Sequence, residues 1–589
     1  MREKILRRRN TVLWLLACVL AVHPGPVAAA TEEKLGETMV LVGGKILSTP
    51  VADAVAVRDG KTLALGSREE VLARAGAKAE VIELGGRTVL PGFTDHHLHL
   101  LNIGFALLNQ KRNQTLFLNL SAARSLEEVA RLVAARAAEQ PPGSWVLGTG
   151  WSQSNWGTQA LPTHEVLSKA APEHPVFLVR VDAHSAWVNA KALAAAGITR
   201  ETPDPYGGLI RRFEDGSPSG VLLERATEPL LEKISAPSDA DLREAFRLGA
   251  RALAERGFTE VFDAGFLSFP SIVAMNGPFE RIYELLRTLD AAEPLPLRVN
   301  LMVPAPSALA AKVLARPQDY VASPRLRVTH IKLFADGAFG SRGAAVREPY
   351  ADDAQASGLF RMSQEEIESY TRRALGAGLD VATHAIGDAA VGRVLDAYEA
   401  VLGEQQKLNP RRLRIEHFSY GTARDRERAA KLGVLIVGQP GFVYPFEDGK
   451  AMEDWRLGPE RVRGAYAWAS LLKAGAALAG SSDDYGLPED PFWRVFVSAQ
   501  RQNPDGIPPA GWQPQERIGR AEALGMLTGY FGPGGAESAG IVVGGRADLV
   551  VVSGDPLEVS AGELLKLRVQ AVWLEGRLTF SRGSISGLD

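Results

Sequence analysis

Two histidines separated by one leucine, His97 and His99, follow an apolar run that is interrupted at Pro91-Gly92. Side chains of a β-strand alternate between its two faces, so these imidazoles point the same way and can bind one cation. The pattern predicts that both stand at the carboxyl end of a strand, where barrel enzymes keep their catalytic groups. Taken alone, the pair is equally compatible with two surface histidines beside a turn.

Four further segments have the same design, an apolar run that ends in a residue able to bind a metal or move a proton. They deliver Lys332, His384, His417 and the aspartate pair Asp483–Asp484. Burying an amine, an imidazole or a carboxylate in a barrel mouth costs several kcal/mol unless a partner or a metal compensates. Six such groups, counting the histidine pair and one aspartate, therefore indicate a metal centre.

The middle of the chain must supply the strands that position these groups. Short β-rich runs there alternate with amphipathic segments rich in Ala, Leu, Arg and Glu, as in 242–256 followed by 258–265. This alternation predicts an α/β fold, a (β/α)₈ barrel over residues 96–534. Residues from about 103 to 324 exceed the length of the first barrel loops, so part of them should form an inserted subdomain.

Both ends of the mature chain have a different sequence pattern, with short β-rich runs separated by Gly and Asp turns. We expect residues 31–95 and 535–589 to pair into one composite β-sandwich. Before them, Arg7-Arg8-Arg9, the apolar run 12–22 and the small residues up to Ala30 predict a signal peptide over residues 1–30.

The signal leaves three export routes open. A free periplasmic or secreted protein is our first expectation, while Cys18 lies in a sequence that resembles a lipoprotein box and would then carry a lipid anchor. The arginine run also resembles a twin-arginine signal. No later segment is long and apolar enough to span a membrane. Cleavage after Ala30 removes the only cysteine, which excludes disulfides and thiolate ligands in the mature chain.

The charge balance bears on the kind of partner, and a small-molecule substrate is the one we expect. The 589 residues carry 66 basic and 69 acidic groups, a net charge of −3. No long run of one sign follows the signal, so neither a nucleic acid nor a membrane surface is implied as a partner. The sequence leaves the oligomeric state open, including a homo-oligomer.

Six motifs, in order along the chain, resemble the amidohydrolase superfamily, and specifically amidohydrolase family 3, the YtcJ-like metal-dependent hydrolases. They are Pro-Gly-Phe-Thr-Asp-His-His-Leu-His (91–99), Val-Asp-Ala-His-Ser-Ala-Trp-Val-Asn (181–189), Ile-Lys-Leu-Phe-Ala-Asp-Gly-Ala-Phe-Gly-Ser-Arg (331–342), Thr-His-Ala-Ile-Gly-Asp (383–388), Arg-Ile-Glu-His (414–417) and Gly-Arg-Ala-Asp-Leu-Val-Val (545–551).

The resemblance implies one or two divalent metal ions, with zinc as the first expectation. His97 and His99 would bind one ion and Lys332, carboxylated on N6, would bridge two. His384 and His417 would hold the second ion. A lysine that is not carboxylated has no acceptor atom and repels a cation. The alternative is a lysine held by a salt bridge inside the barrel. Nitrogen and oxygen ligands without thiolate are compatible with zinc.

The resemblance also implies that Asp483 completes the metal site and acts as general base. Tyr485 stands where the family commonly has proline, but the register to Asp490-Pro491-Phe492 favours Asp483 over Asp484. Further residues are predicted to contact the substrate. They are Gln153, Asp182, His184, Asn189, Asp336, Arg342 and Asp388. For the segment 182–189 the alternative is a buried group of polar side chains bonded to one another. For Arg342 and Asp388 the alternative is that they fix loops.

Three functions follow from these inferences, in order of preference. The first is an exported metal-dependent amidohydrolase that cleaves a non-peptide C–N bond, such as an amide, N-acyl or cyclic amide group. The second is an ester or lactone hydrolase that uses the same site, because attack on a carbonyl does not require a nitrogen leaving group. The third is an exported binding protein on the same fold, without turnover.

Overall fold

The computed structural model describes residues 38–48, 50–113, 116–156, 160–265, 279–404, 410–443, 445, 448–484, 489–532, 535–538 and 540–582. The predicted signal peptide, with Cys18, and Tyr485 lie outside the described residues. Within these ranges, no helix combines the length and the apolar character that crossing a membrane requires.

The strands, in chain order, are β1 (Met39–Ile46), β2 (Ala52–Arg58), β3 (Lys61–Gly66), β4 (Glu80–Glu83), β5 (Thr88–Pro91), β6 (Phe93–Leu98), β7 (Leu118–Asn119), β8 (Val146–Trp151), β9 (Val176–Arg180), β10 (Ser185–Val188), β11 (Gly208–Arg212), β12 (Pro218–Glu224), β13 (Phe258–Asp263), β14 (Arg298–Pro304), β15 (Leu326–Phe334), β16 (Asp380–Ala385), β17 (Leu413–His417), β18 (Leu435–Gly438), β19 (Ala477–Gly480), β20 (Gly529–Gly532), β21 (Gly535–Ser538), β22 (Leu549–Val552), β23 (Val569–Leu574) and β24 (Arg577–Ser581).

The α-helices are α1 (Arg68–Ala75), α2 (Leu100–Lys111), α3 (Leu126–Ala138), α4 (His164–Ala170), α5 (Ala190–Ala195), α6 (Glu228–Leu231), α7 (Asp239–Ala254), α8 (Phe279–Ala292), α9 (Ala308–Ala315), α10 (Gln364–Gly376), α11 (Asp388–Glu404), α12 (Ala423–Leu432), α13 (Met452–Arg461), α14 (Trp468–Ala474), α15 (Pro491–Gln500), α16 (Arg520–Thr528) and α17 (Ala561–Leu564).

The largest sheet is barrel-like and carries the candidate ligands. Its order is β21-β20-β19-β18-β17-β16-β15-β14-β13-β6. Strand β6 and the seven strands β13 to β19 are parallel to one another. Every residue of β6 and β14 is buried, as expected for parallel strands covered on both faces. Asp483, just after β19, donates its backbone N–H to the carbonyl of His97 in β6 at 2.7 Å. This bond brings the first and the last parallel strands together.

The two ends of the chain join in one eight-stranded sheet. Its order is β24-β23-β22-β5-β1-β2-β3, and β4 also pairs with β1. Strand β22 is antiparallel to β5, with Val551 opposite Val89, so the C-terminal strands are attached directly to the N-terminal ones. The predicted partnership of the two ends is therefore present, while the sandwich arrangement stays a prediction.

A separate six-stranded sheet, β11-β12-β10-β9-β8-β7, lies within the predicted insertion range. It occupies residues 118–224, and the chain from 239 to 304 supplies α7, β13, α8 and β14 to the barrel-like part. Trp151 and Trp187 are fully buried in this inserted sheet, with ring centroids 5.8 Å apart. The inserted sheet thus has an apolar core of its own.

A buried arginine ties the terminal sheet to the barrel-like sheet. Arg298, the first residue of β14, is 3% exposed and forms an ion pair with Asp548, which directly precedes β22. Glu260 of β13 lies 3.3 Å from the same guanidinium. Because the guanidinium is out of water, removing Asp548 leaves its charge only partly compensated, by Glu260 and Glu575.

We expect Asp548→Asn to lower the free energy of unfolding by about 3 kcal/mol, because breaking one side of a buried ion pair typically costs that much. Urea unfolding followed by circular dichroism measures the change. The control is Asp215→Asn, which breaks the exposed pair of Asp215 with Arg200 and should leave the unfolding curve in place. Equal midpoints for the two variants would contradict the structural role of Arg298.

Candidate active site

Three of the predicted ligands converge at the carboxyl edge of the barrel-like sheet. Asp483 Oδ1 lies 3.1 Å from His99 Nε2 and 3.4 Å from His97 Nε2. Potential ligand atoms of the three residues all lie within 4.8 Å of one another, and each residue is buried. Two atoms that each lie about 2.0–2.2 Å from one tetrahedral ion are about 3.3–3.6 Å apart. The spacing of these side chains therefore fits a single metal ion.

The protonation of His97 also fits a ligand. Its Nδ1 lies 2.5 Å from Glu416 Oε2. A carboxylate can only accept, so Nδ1–H donates and Nε2 keeps its lone pair on the side of Asp483. Burial, reinforced by the charge of Lys332, lowers the pKa of His97 to about 3. The ring is consequently neutral at physiological pH, which is the form that binds a metal.

Asp483 is held as an anion. Burial alone would raise the pKa of this carboxyl group, but the neighbouring His97, His99 and His417 hold it well below its ordinary value. Its backbone has a φ of +54°, a left-handed conformation that is unfavourable for residues other than glycine. The strained backbone lies where the side chain turns towards the two histidines, and strain of this kind is common at functional sites.

His417 and His384 lie next to this group. The ring centroids of His417 and His97 are 5.0 Å apart, and those of His417 and His384 are 4.5 Å apart. His417 Nδ1 lies 3.0 Å from Gln439 Oε1, which can only accept, so Nε2 of His417 keeps its lone pair. Burial lowers the pKa of His417 to about 4 and that of His384 well below its ordinary value. Both rings are therefore neutral.

Lys332 completes the cluster. Its side chain is buried, and Nζ has no hydrogen-bond partner within the described ranges. The ammonium position is 5.2 Å from the ring centroid of Phe334. Burial lowers the pKa of this amine to about 8. A buried amine without a polar partner is costly unless it is modified or bound to something else.

Two buried carboxylates outside the set of predicted ligands and substrate contacts, Glu416 and Asp95, orient these groups. Glu416 binds His97 and also accepts a hydrogen bond from Arg414 Nε. Asp95 accepts from the backbone N–H of His97 at 3.1 Å and from Ser482 Oγ at 2.7 Å. Arg494 Nη2 donates to Asp95 at 2.6 Å. Carboxylates that orient ligand histidines are an integral part of metal sites.

Above the ligands lies a cavity of about 570 Å³. Four of the predicted residues line it, namely Asp182, His184, His417 and Asp483. Ala106, Phe117, Val181, Ala338, Ile386 and Phe442 form apolar parts of its wall. The cavity is bordered by both the barrel-like sheet and the inserted sheet, since Asp182 and His184 lie between β9 and β10. It can accommodate a small molecule with an apolar substituent.

The other predicted substrate residues are not among the described residues that line this cavity. Asn189 caps α5, accepts from the N–H of Val176 and Ala192, and donates to the carbonyls of Ala171 and His174. With its amide used in this way, it holds the inserted sheet together.

Gln153, at 0% exposure, accepts from Arg180 Nε at 3.0 Å and donates to the carbonyl of Gly340. It therefore connects the inserted sheet to the loop after β15.

Three more of these residues fix loops of the barrel-like part. Asp336 accepts from the backbone N–H groups of Ala345, Ile386 and Gly387. Arg342 Nε donates to Asp352 at 3.1 Å, and Asp388 accepts from the backbone of Arg347 at 3.0 Å. For Arg342 and Asp388 these contacts agree with the alternative that they fix loops, while contacts of all three residues with a substrate stay a prediction.

Comparison with known proteins supports the resemblance. A profile of the amidohydrolase family matches residues 80–580. The protein YtcJ of Bacillus subtilis (strain 168) is 30% identical over 541 residues, 90% of this chain and 96% of that protein. The N-substituted formamide deformylase of Arthrobacter pascens is 30% identical over 544 residues, 90% of this chain and 95% of that enzyme. The solved structure of an uncharacterized metal-dependent hydrolase from Pyrococcus horikoshii OT3 matches with a TM-score of 0.65 and 26% identity, covering 89% of this chain and 99% of that chain.

We expect Glu416→Gln to weaken zinc binding by about 10- to 100-fold, because the variant removes the carboxylate that fixes the orientation of His97. Calorimetric titration of the metal-free protein with zinc measures the affinity. The matched control is Glu260→Gln, which alters another carboxylate of the sheet, 13% exposed, that pairs with an arginine, Arg298, and not with a candidate ligand. An unchanged zinc affinity in Glu416→Gln would contradict the role given to this residue.

Proposed function

The chain belongs to the amidohydrolase family, and on that basis we propose that it is an exported metal-dependent hydrolase of a non-peptide carbon–nitrogen bond. The observation that carries the proposal is the convergence of four imidazoles, one carboxylate and one amine at the same edge of a barrel-like sheet. We further infer that its parallel strands form a (β/α)₈ barrel. The name of the Arthrobacter pascens relative supports N-substituted formamides as the first substrates to test.

His97, His99 and Asp483 would hold one divalent ion, for which we propose zinc. His417, His384 and a carboxylated Lys332 would hold a second. The depressed pKa of Lys332 favours this modification, because only the neutral amine reacts with CO₂. When bound, the metal supplies a water of lowered pKa and polarises the carbonyl group of the substrate.

Asp483 is the group that transfers the proton in the proposed reaction. Asp483 Oδ1 faces His97 and His99, whereas Oδ2 lies on the side of His417, 3.8 Å from its Nδ1. Asp483 takes the proton of the attacking water and passes it to the leaving nitrogen, which departs as an amine. Because Asp95 holds the adjacent Ser482 and the backbone N–H of Asp483 bonds to His97, the proton acceptor stays in place during the reaction.

The metal content of the purified protein tests the site. We expect about two zinc ions per chain in the wild type, and one or fewer in Lys332→Ala, because the bridging ligand is lost. Elemental mass spectrometry on protein prepared without chelator measures this. Lys312→Ala serves as the control, since Lys312 is an exposed lysine paired with Glu280.

A wild type without bound transition metal would overturn the catalytic proposal and favour the exported binding protein. An equal content in the wild type and in Lys332→Ala would leave a metal site but remove Lys332 from it.

A matched pair of substrates tests the bond type. N-benzylformamide and benzyl formate differ only in the atom that leaves, nitrogen or oxygen. We expect the zinc-loaded enzyme to hydrolyse the formamide, and Asp483→Asn to lose at least about 100-fold in kcat, the usual contribution of a positioned acid–base group. Release of formate measures both reactions. Cleavage of the ester alone would establish the ester-hydrolase alternative instead.

A further inference from the structure

Two polar residues of the inserted sheet and its loops, His184 and Glu224, form a connected group with Arg361, which lies between β15 and α10. His184, which precedes β10, directs its Nδ1 to Glu224 Oε1 at 2.7 Å. Glu224 ends β12, and its second oxygen lies 2.8 Å from Arg361 Nη1. All three residues are at most 5% exposed. A buried ion pair of this kind is weak evidence for stability, so it calls for another explanation.

The strained backbone at Glu224 maintains the contacts among these three side chains. Glu224 has a φ of +51°, which residues other than glycine rarely adopt. At Gly337, in the loop after β15, a Cβ atom would lie only 2.4 Å from Glu224 Oε1. The loop can therefore approach the carboxylate only because position 337 is glycine. Strain and close approach of this kind typically persist where geometry matters for function.

The free edge of the His184 ring faces the cavity. His184 lines the cavity, and its Nε2 has no hydrogen-bond partner among the residues that the structure describes. Its ring centroid lies 4.9 Å from that of His384, one of the candidate metal ligands. Because Glu224 can only accept, the Nδ1 proton points to Glu224 and Nε2 is the ring atom left for a ligand.

We propose that His184 is a catalytic residue supplied by the inserted sheet, whose Nε2 forms a hydrogen bond to the group that is hydrolysed. Glu224 and Arg361 are positioning residues that fix the ring. The inference rests on the proposed hydrolase function and adds to it that the barrel-like sheet alone does not complete the active site. The reacting group is bound between candidate ligands on one side and His184 on the other.

Two substitutions separate the two ring nitrogens. In His184→Asn the amide occupies the position of Nδ1 and can still bind Glu224, but nothing reaches the position of Nε2. In His184→Gln the longer side chain brings a polar atom near the position of Nε2. The proposal therefore predicts that the glutamine variant retains more activity than the asparagine variant, whereas a purely structural role predicts the reverse.

The experiment measures kcat and KM for formate release by the zinc-loaded full-length enzyme, together with zinc content and thermal midpoint. We expect His184→Asn to lower kcat by at least about 100-fold, the usual contribution of a positioned hydrogen-bonding or acid–base group, with unchanged zinc content. Glu224→Gln should lower kcat by a smaller factor and leave KM nearly unchanged. His174→Asn is the matched control, because His174 is another buried histidine of the inserted sheet and binds Ser144 through Nδ1.

Three other results of this experiment would overturn the catalytic role of His184. A normal kcat in His184→Asn, with or without a lower thermal midpoint, overturns the catalytic role of His184 while the hydrolase function stands. Loss of zinc in that variant overturns it as well, because His184 would then be a ligand. A wild type that releases formate from neither N-benzylformamide nor benzyl formate refutes the proposed hydrolase function and this inference with it.

Discussion

The site depends on one constraint, that the first and the last parallel strands of the barrel-like sheet must meet. The bond from the backbone of Asp483 to the carbonyl of His97 makes this connection, and Asp95 reinforces it through Ser482 and Arg494. Without it, the carboxylate and the histidine pair would belong to opposite edges of an open sheet. The role of the buried pair Asp95–Arg494 is therefore to keep the first and the last parallel strands aligned, and not to add stability alone.

The pattern of apolar runs that end in a polar residue was sufficient to identify side chains that come together in space. It worked for His97, His417 and Asp483 because parallel strands present their carboxyl ends at one edge. Arg414 and Glu416 could have been found in the same way, since alternation puts them on one face of β17. The link between Asp95 and Arg494 could not, because it joins positions 399 residues apart without a local signal.

Sequence motifs proved less informative about the substrate residues. For the polar residues of 182–189, and for Arg342, the sequence left both a substrate contact and a structural role open, and the structure divides these residues between the two tasks. Asp182 and His184 reach the cavity, while Asn189 and Arg342 hold loops in position. A motif records that positions are constrained, and only the fold shows whether the constraint comes from a ligand or from the packing of an inserted sheet on a barrel-like one.

The pairing of β22 with β5 has a consequence for the biogenesis of the protein. Val89 of β5 is synthesised long before its partner Val551 of β22. The N-terminal strands therefore emerge from the ribosome with an unpaired edge at β5. Such distant pairings form slowly, and an exposed apolar edge invites association with other chains in the meantime. The nascent chain therefore passes through a stage at which this edge of β5 is unpaired, and the eight-stranded terminal sheet forms only after β22 has been synthesised.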